Sequence, residues 1–261
     1  YSRRHKILLG GWLRERNLRG KGEVLDVQAL AHRIQRLRVT WTRPWLLGRD
    51  GLELEAAAAG EQGPFVWRPF DYRTWSAGLR VRQTVAGRWF GEVAGAWSSF
   101  AQRDDYAWAA PDRGRGPGAA TPYPEATREE TLLTAALGYD SRENPFYPRW
   151  GLYHRYALEY HLTGDVEDFL VSSGDARVFL DLPTDAILAL RAYGRVVDRP
   201  VPVEQGLFWG RPETIRGAPY ALLEGEEGYL LTAEIRYPLL LMPISPRGEN
   251  VGFGLHAFFD A

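Results

Sequence analysis

Apolar and polar residues alternate along most of this chain with a period of two. Between 229 and 237, Tyr229, Leu231, Ala233, Ile235 and Tyr237 fall on one face. Leu230, Thr232, Glu234 and Arg236 fall on the other. Between 251 and 260, Val251, Phe253, Leu255, Ala257 and Phe259 oppose Gly252, Gly254, His256, Phe258 and Asp260. Strict alternation with one apolar face predicts a strand. The same pattern predicts strands over 6–15, 24–30, 33–43, 52–59, 72–83, 88–101, 131–140, 152–162, 176–182 and 186–196, twelve in all. No stretch of useful length carries a helical period.

The predicted strands run about 8–12 residues, close to the 9–11 that a tilted strand needs to cross a bilayer. Their connections alternate in kind. Tight turns fall at 17–22, 44–51, 84–87, 141–151 and 183–185, and looser loops at 60–71, 102–130 and 197–228. Short turns at one end and long loops at the other predict a transmembrane antiparallel up-and-down β-barrel. Trp41, Trp75, Trp89, Trp97, Tyr139, Tyr156, Tyr160 and Tyr237 lie on the apolar face, where they suit the aromatic girdles of such a barrel. A soluble sandwich or lipocalin-like barrel would turn that face inward. Twelve long strands would then enclose more apolar side chains than a small barrel holds.

One run resists this periodicity. Residues 199–228 show no usable strand or helix pattern, yet they carry Phe208, Trp209 and Tyr220 among their charges. Unpatterned loops of that length are usually functional or disordered, and the aromatics argue against disorder. Within it lies Thr214-Ile215-Arg216-Gly217-Ala218-Pro219-Tyr220, where Gly217 permits a turn beside the arginine. Strand parity puts Glu234 and Asp260 on the polar face, where an arginine could meet them.

Composition narrows the chemistry. The 261 residues carry a net charge of -1, so bulk electrostatics offers nothing to nucleic acid. Cysteine is absent, which removes disulfides and thiolate sites. His5, His32, His154, His161 and His256 are scattered without metal-ligand spacing. Nucleophile-elbow, P-loop and dinucleotide signatures are missing, so no catalytic residue, metal or cofactor is expected. No apolar run approaches the roughly 20 residues of a membrane helix. The chain opens at Tyr1-Ser2-Arg3-Arg4 in mid-pattern, and we read it as one barrel domain over 1–261, incomplete at both ends.

Five short motifs follow one another in a recognisable order. Asp140-Ser141-Arg142-Glu143-Asn144-Pro145-Phe146-Tyr147-Pro148-Arg149-Trp150-Gly151 resembles the Asp-x-Arg-Asp-x-Pro-Phe-x-Pro-x-x-Gly turn of the BamA-type barrel-assembly family, also called the bacterial surface antigen family. Ile215-Arg216-Gly217, with Tyr220 after Ala218-Pro219, resembles its Val-Arg-Gly-Phe loop motif. Ala233-Glu234-Ile235-Arg236-Tyr237-Pro238 is similar to its Glu-Leu-Arg-Phe-Pro strand. His256-Ala257-Phe258-Phe259-Asp260-Ala261 is similar to the start of its Phe-Phe-Asp-x-Gly strand. Asn17 to Gly22 resembles the Asn-Leu-x-Gly-x-Gly turn near the barrel's start.

The resemblance implies strands two to thirteen of a sixteen-stranded barrel, with long loop 199–228 folding inward. It implies a loop latch of Arg216, Gly217 and Tyr220 against Glu234 and Asp260. It also implies a rim-turn motif of Asp140, Arg142, Pro145, Phe146, Pro148 and Gly151. The implied function is an outer-membrane factor that folds or inserts β-barrel clients through a lateral seam, without covalent chemistry. The alternatives are a two-partner-secretion pore exporting an unfolded polypeptide and a barrel linked to an upstream enzyme. Implied partners are outer-membrane lipids, unfolded client or secreted polypeptides, periplasmic POTRA domains in the same chain, and accessory lipoproteins.

Overall fold

Alternation along the sequence becomes alternation across a sheet. In the computed structural model, which describes residues 9–31, 34–64, 71–103, 127–145, 147–164, 166–210, 214–216, 223–243 and 250–261, no α-helix occurs among the described residues. Fourteen strands appear: β1 (Leu9–Leu18), β2 (Glu23–Ala31), β3 (Gln35–Arg43), β4 (Leu52–Pro64), β5 (Asp71–Val85), β6 (Trp89–Arg103) and β7 (Thr127–Asp140). They continue with β8 (Gly151–Thr163), β9 (Phe169–Asp181), β10 (Ile187–Val197), β11 (Leu207–Trp209), β12 (Leu223–Gly225), β13 (Gly228–Pro243) and β14 (Asn250–Asp260). Twelve of them form one sheet in chain order, with β10 passing directly to β13, while β11 and β12 pair separately. This is an up-and-down antiparallel arrangement.

Backbone proximity in space groups the chain into two compact units, 1–84 with 91–135 and 159–170, and 85–90 with 136–158 and 171–261. In the first unit the apolar positions face outward: Trp12 is 75% exposed, Leu79 58% and Trp75 56%. The opposite face is a lattice of ion pairs. Arg14 meets Asp26 at 2.6 Å, and Arg80 meets Glu55 at 2.7 Å with Glu53 and Glu92 beyond it. Arg36 and Tyr72 both bond Glu61. Soluble proteins rarely expose contiguous apolar surface on this scale, whereas a lipid-facing sheet requires it. The soluble alternative would have the opposite polarity.

The second unit repeats the polarity. Tyr229, Leu231 and Ile235 are exposed along β13 while Leu230 and Glu234 are buried. The run expected to lack strand character holds the β11–β12 hairpin. Three-residue strands are too short to show a period, but packing fixes this one. Trp209 is buried and lies edge-on to Tyr193, ring centroids 6.2 Å apart. A Cβ at Gly228 would meet the Trp209 ring at 2.7 Å, so glycine permits the close approach. Arg195 donates to the carbonyls of Gln205 at 2.8 Å and Glu226 at 3.1 Å, tying both ends of the loop to β10.

Two further boundaries differ from the sequence reading. β4 extends to Pro64 and β5 starts at Asp71, which shortens the loop expected over 60–71. Gln62 bonds Gln35 at 2.8 Å and accepts from Arg73 at 3.2 Å, so polar cross-strand pairs carry the ladder where apolar alternation stops. β9 starts at Phe169 rather than near Ala176. Phe169 and Val171 are almost fully buried, while the intervening Ser172, Ser173, Gly174 and Asp175 hide the period in the sequence.

Candidate functional site

The site forms where the polar face of the β13–β14 ladder meets the loop before it. Register pairs Thr232 with Asp260, Glu234 with Phe258, and Arg236 with His256. Glu234 and Asp260 are therefore diagonal neighbours on one face, a spacing within reach of a long side chain. Arg216, reaching in from the loop, spans it. Its Nε and Nη2 donate to the two Asp260 oxygens at 3.1 and 2.9 Å, its Nη1 donates to Glu234 at 2.5 Å, and its backbone N–H donates to Asp260 at 2.9 Å.

The guanidinium also lies flat over Phe258, 3.9 Å from the ring centroid. Bidentate pairing plus stacking uses the planar fork in a way that an ammonium would not. Hydrogen bonds to Asp260, against desolvation and reinforced by Glu234, hold the Arg216 guanidinium above its ordinary range. Thr214 Oγ1, two residues before the arginine, accepts from the Gly210 N–H at 3.1 Å. Gly217 and Tyr220 lie outside the described residues.

Glu234 is shared. Arg236 bonds its second oxygen at 2.7 Å, and His256 Nδ1 lies 3.0 Å from the same atom. Arg236 in turn lies over Phe179 and over Tyr147 of the 141–151 turn, 5.8 and 5.5 Å from the ring centroids. Arg236, His256 and Phe258 stand within the motif stretches but were not among the expected latch residues. Strand parity was the further signal, since all three share the face of Glu234 and Asp260.

The turn itself is built on charge. Arg142 Nε and Nη2 donate to Asp140 at 2.9 and 2.8 Å, and Nη1 reaches the Pro145 carbonyl at 3.4 Å. The Arg142 guanidinium sits 4.6 Å from the Tyr153 ring centroid. Gly151 has φ +119°, and a Cβ there would lie 2.7 Å from the Arg142 Cα, so this closure requires glycine. Pro148 is buried. Desolvation pushes the Glu143 carboxyl up, but the N–H groups of Arg149 at 2.5 Å and Trp150 at 3.2 Å hold it below its ordinary value. Phe146 lies outside the described residues.

The structure thus brings Arg216, Glu234 and Asp260 into one cluster, and Asp140, Arg142, Pro145 and Gly151 into another, with Arg236 bonded to Glu234 of the first and lying over Tyr147 of the turn that carries the second. Nothing in either geometry resembles a nucleophile–base pair. Fixed opposite charges in a restricted space can hold a loop, and release it when a competing group or motion breaks the pairs.

Comparison with known proteins gives this geometry a family. The Omp85 superfamily domain matches residues 17–261. Among solved structures, BamA from Haemophilus ducreyi lacking POTRA domains 1–3 superposes with TM-score 0.68 at 12% identity, covering 97% of this chain and 54% of that one. CdiB from Acinetobacter baumannii superposes with TM-score 0.61 at 12% identity, covering 88% of this chain and 42% of that one. The chain therefore spans about half the length of the structures it matches. No curated protein sequence matches it. Its strands have the antiparallel up-and-down fold of BamA-like barrels, and the Omp85 domain implies the outer membrane. By the match of its domain over nearly its whole length, the chain belongs to the Omp85 superfamily.

Proposed function

We propose that this chain is the barrel part of an outer-membrane factor that folds or inserts β-barrel clients through a lateral seam, with the Arg216 cluster as the latch of its inward loop. The observation that carries the reading is the clasp of Arg216 on Glu234 and Asp260, three of the five latch positions that the motif resemblance singles out. A strand edge at a seam templates a client strand by backbone hydrogen bonding, which needs neither nucleotide nor metal. On this reading the fragment belongs to a sixteen-stranded, multi-pass barrel. Its partners are bilayer lipids and unfolded client polypeptides, with POTRA domains and accessory lipoproteins supporting it from the periplasm.

The superfamily also includes two-partner-secretion exporters, and the likeness to CdiB supports that second reading. Reconstituting the full-length gene product in liposomes with an unfolded β-barrel client tests both. The assembly reading expects faster client folding than in empty liposomes. A client that folds no faster, together with transport of an unfolded polypeptide across the same bilayer, would establish the exporter instead.

A further inference from the structure

Beside the latch lies a cavity of about 180 Å³ with an unusual charge balance. Among the described residues it is lined by Arg177, Arg191, Arg216 and Arg236, with Glu234 as the one acidic residue, beside Thr214, Thr232, Phe179, Ala189 and Leu190. The carboxylates that neutralise most of these guanidinium groups do not line it. Asp175 takes Nε and Nη2 of both Arg177 and Arg191, at 2.7–3.1 Å, and Asp260 takes the Nε–Nη2 edge of Arg216. Within the cavity wall, four cations therefore face one anion.

We propose that this cavity binds one small oxyanion, a carboxylate or a phosphate. Guanidinium groups recognise such ions through paired, charge-assisted N–H donors, and hydroxyls complete the shell. The volume is below the roughly 300–1,000 Å³ of sites for drug-sized ligands and fits a small ion. The backbone also supports the site. Arg177 and Arg191 are directly paired across the β9–β10 ladder, and the shared Asp175 holds both side chains in place. Arg177 is further seated over the Tyr153 ring, 5.4 Å from its centroid, and Arg191 over Tyr193 at 5.5 Å. Because Arg216 belongs to both latch and cavity wall, an ion bound here touches the same guanidinium that fastens the loop. The site stands whichever polypeptide the barrel handles.

Isothermal titration calorimetry on the full-length protein in zwitterionic nanodiscs tests it, with chloride holding the ionic strength constant. The probes are sodium phosphate, sodium acetate, and a short peptide as its free C-terminal acid and as its amide. Saturable one-site binding of at least one oxyanion is expected. Arg191→Gln and, separately, Arg177→Gln should each weaken it about tenfold or more, the loss of one charge-assisted contact. Arg36→Gln, on β3, should leave it unchanged. Binding of the acid but not the amide assigns the site to polypeptide carboxylates, and binding of phosphate alone assigns it to free phosphate. Heat-dependent gel mobility reports whether each variant is folded, and two independent arginines keep the test decisive if one variant fails to fold. No saturable binding of any probe would overturn the proposal, as would affinity unchanged from the parent in both folded arginine variants.

Discussion

Replacing Arg216 with alanine removes the only group that joins the loop to both strand carboxylates among the described residues. Breaking a buried charge pair by deleting one partner costs about 3–5 kcal/mol. The structure says where that cost falls. The Asp260 side chain is 2% exposed and loses its bidentate partner, whereas Glu234 retains Arg236 and His256. The Arg216 side chain is 23% exposed, so water reaches the cluster and lowers the figure to about 2–4 kcal/mol. At 1.4 kcal/mol per tenfold, the released population of the loop rises roughly 30- to 1,000-fold. Because the chain has no cysteine, a single one introduced at Glu204 reports release through its rate of thiol labelling in intact bilayers. Labelling should accelerate in Arg216→Ala, and less in Arg216→Lys, which keeps the charge but loses the fork. Asp260→Asn should release the loop more than Glu234→Gln, since Asp260 takes three of the four Arg216 hydrogen bonds. Labelling at the parent rate in Arg216→Ala, or a reversed order of the two acid variants, would refute this reasoning.

Other outcomes follow from the same geometry. Leu79→Arg, on the exposed apolar face, should destabilise the protein in lipid by about 2–4 kcal/mol, whereas Ser76→Arg on the opposite face should cost much less; equal losses in a bilayer unfolding titration would mean that the faces are inverted. Gly151→Ala forces a β-carbon into the Arg142 backbone at positive φ and should cost about 1–3 kcal/mol, read as faster proteolysis of the 141–151 turn. Glu143 is held below its ordinary value near 4.5, so its contribution to that turn is fully present above about 4.5 and is lost as pH falls through the depressed folded value. Amide exchange at Arg149 and Trp150, corrected for intrinsic rates, should rise over that acid window, and Glu143→Gln should abolish the dependence. In the topology expected from the sequence, thiol labelling of intact cells should reach the 102–130 loop and spare 141–151; the opposite pattern would reverse the topology.

Much of the fold was legible because a lipid-facing strand must show its apolar residues at every second position. Trp75, Leu79, Trp89 and Val93 obey that rule and are all more than half exposed. The rule fails where other forces hold the ladder. The extension of β4 rests on Gln35, Gln62 and Arg73, and the start of β9 rests on buried Phe169 and Val171 separated from the visible pattern by small polar residues. The β11–β12 hairpin is three residues deep and is fixed by Trp209, Gly228 and Arg195, contacts that no local period records. In the site, motif order and parity selected Arg216, Glu234 and Asp260. Arg236 stands in the strand motif, but its place over Tyr147 depends on where a distant turn returns to the sheet, which neither motif nor parity records.

The central claim is that the clasp of Arg216 on Asp260 governs a loop on which client assembly depends. A double-mutant cycle of Arg216→Ala and Asp260→Ala, read as the rate of client folding by the full-length protein in liposomes, tests it most directly. Each single variant should slow folding, and the double variant should be no slower than Arg216→Ala, because deleting the stranded carboxylate removes the cost of leaving it unpaired. Strictly additive losses, or single variants that fold clients at the parent rate, would contradict the account.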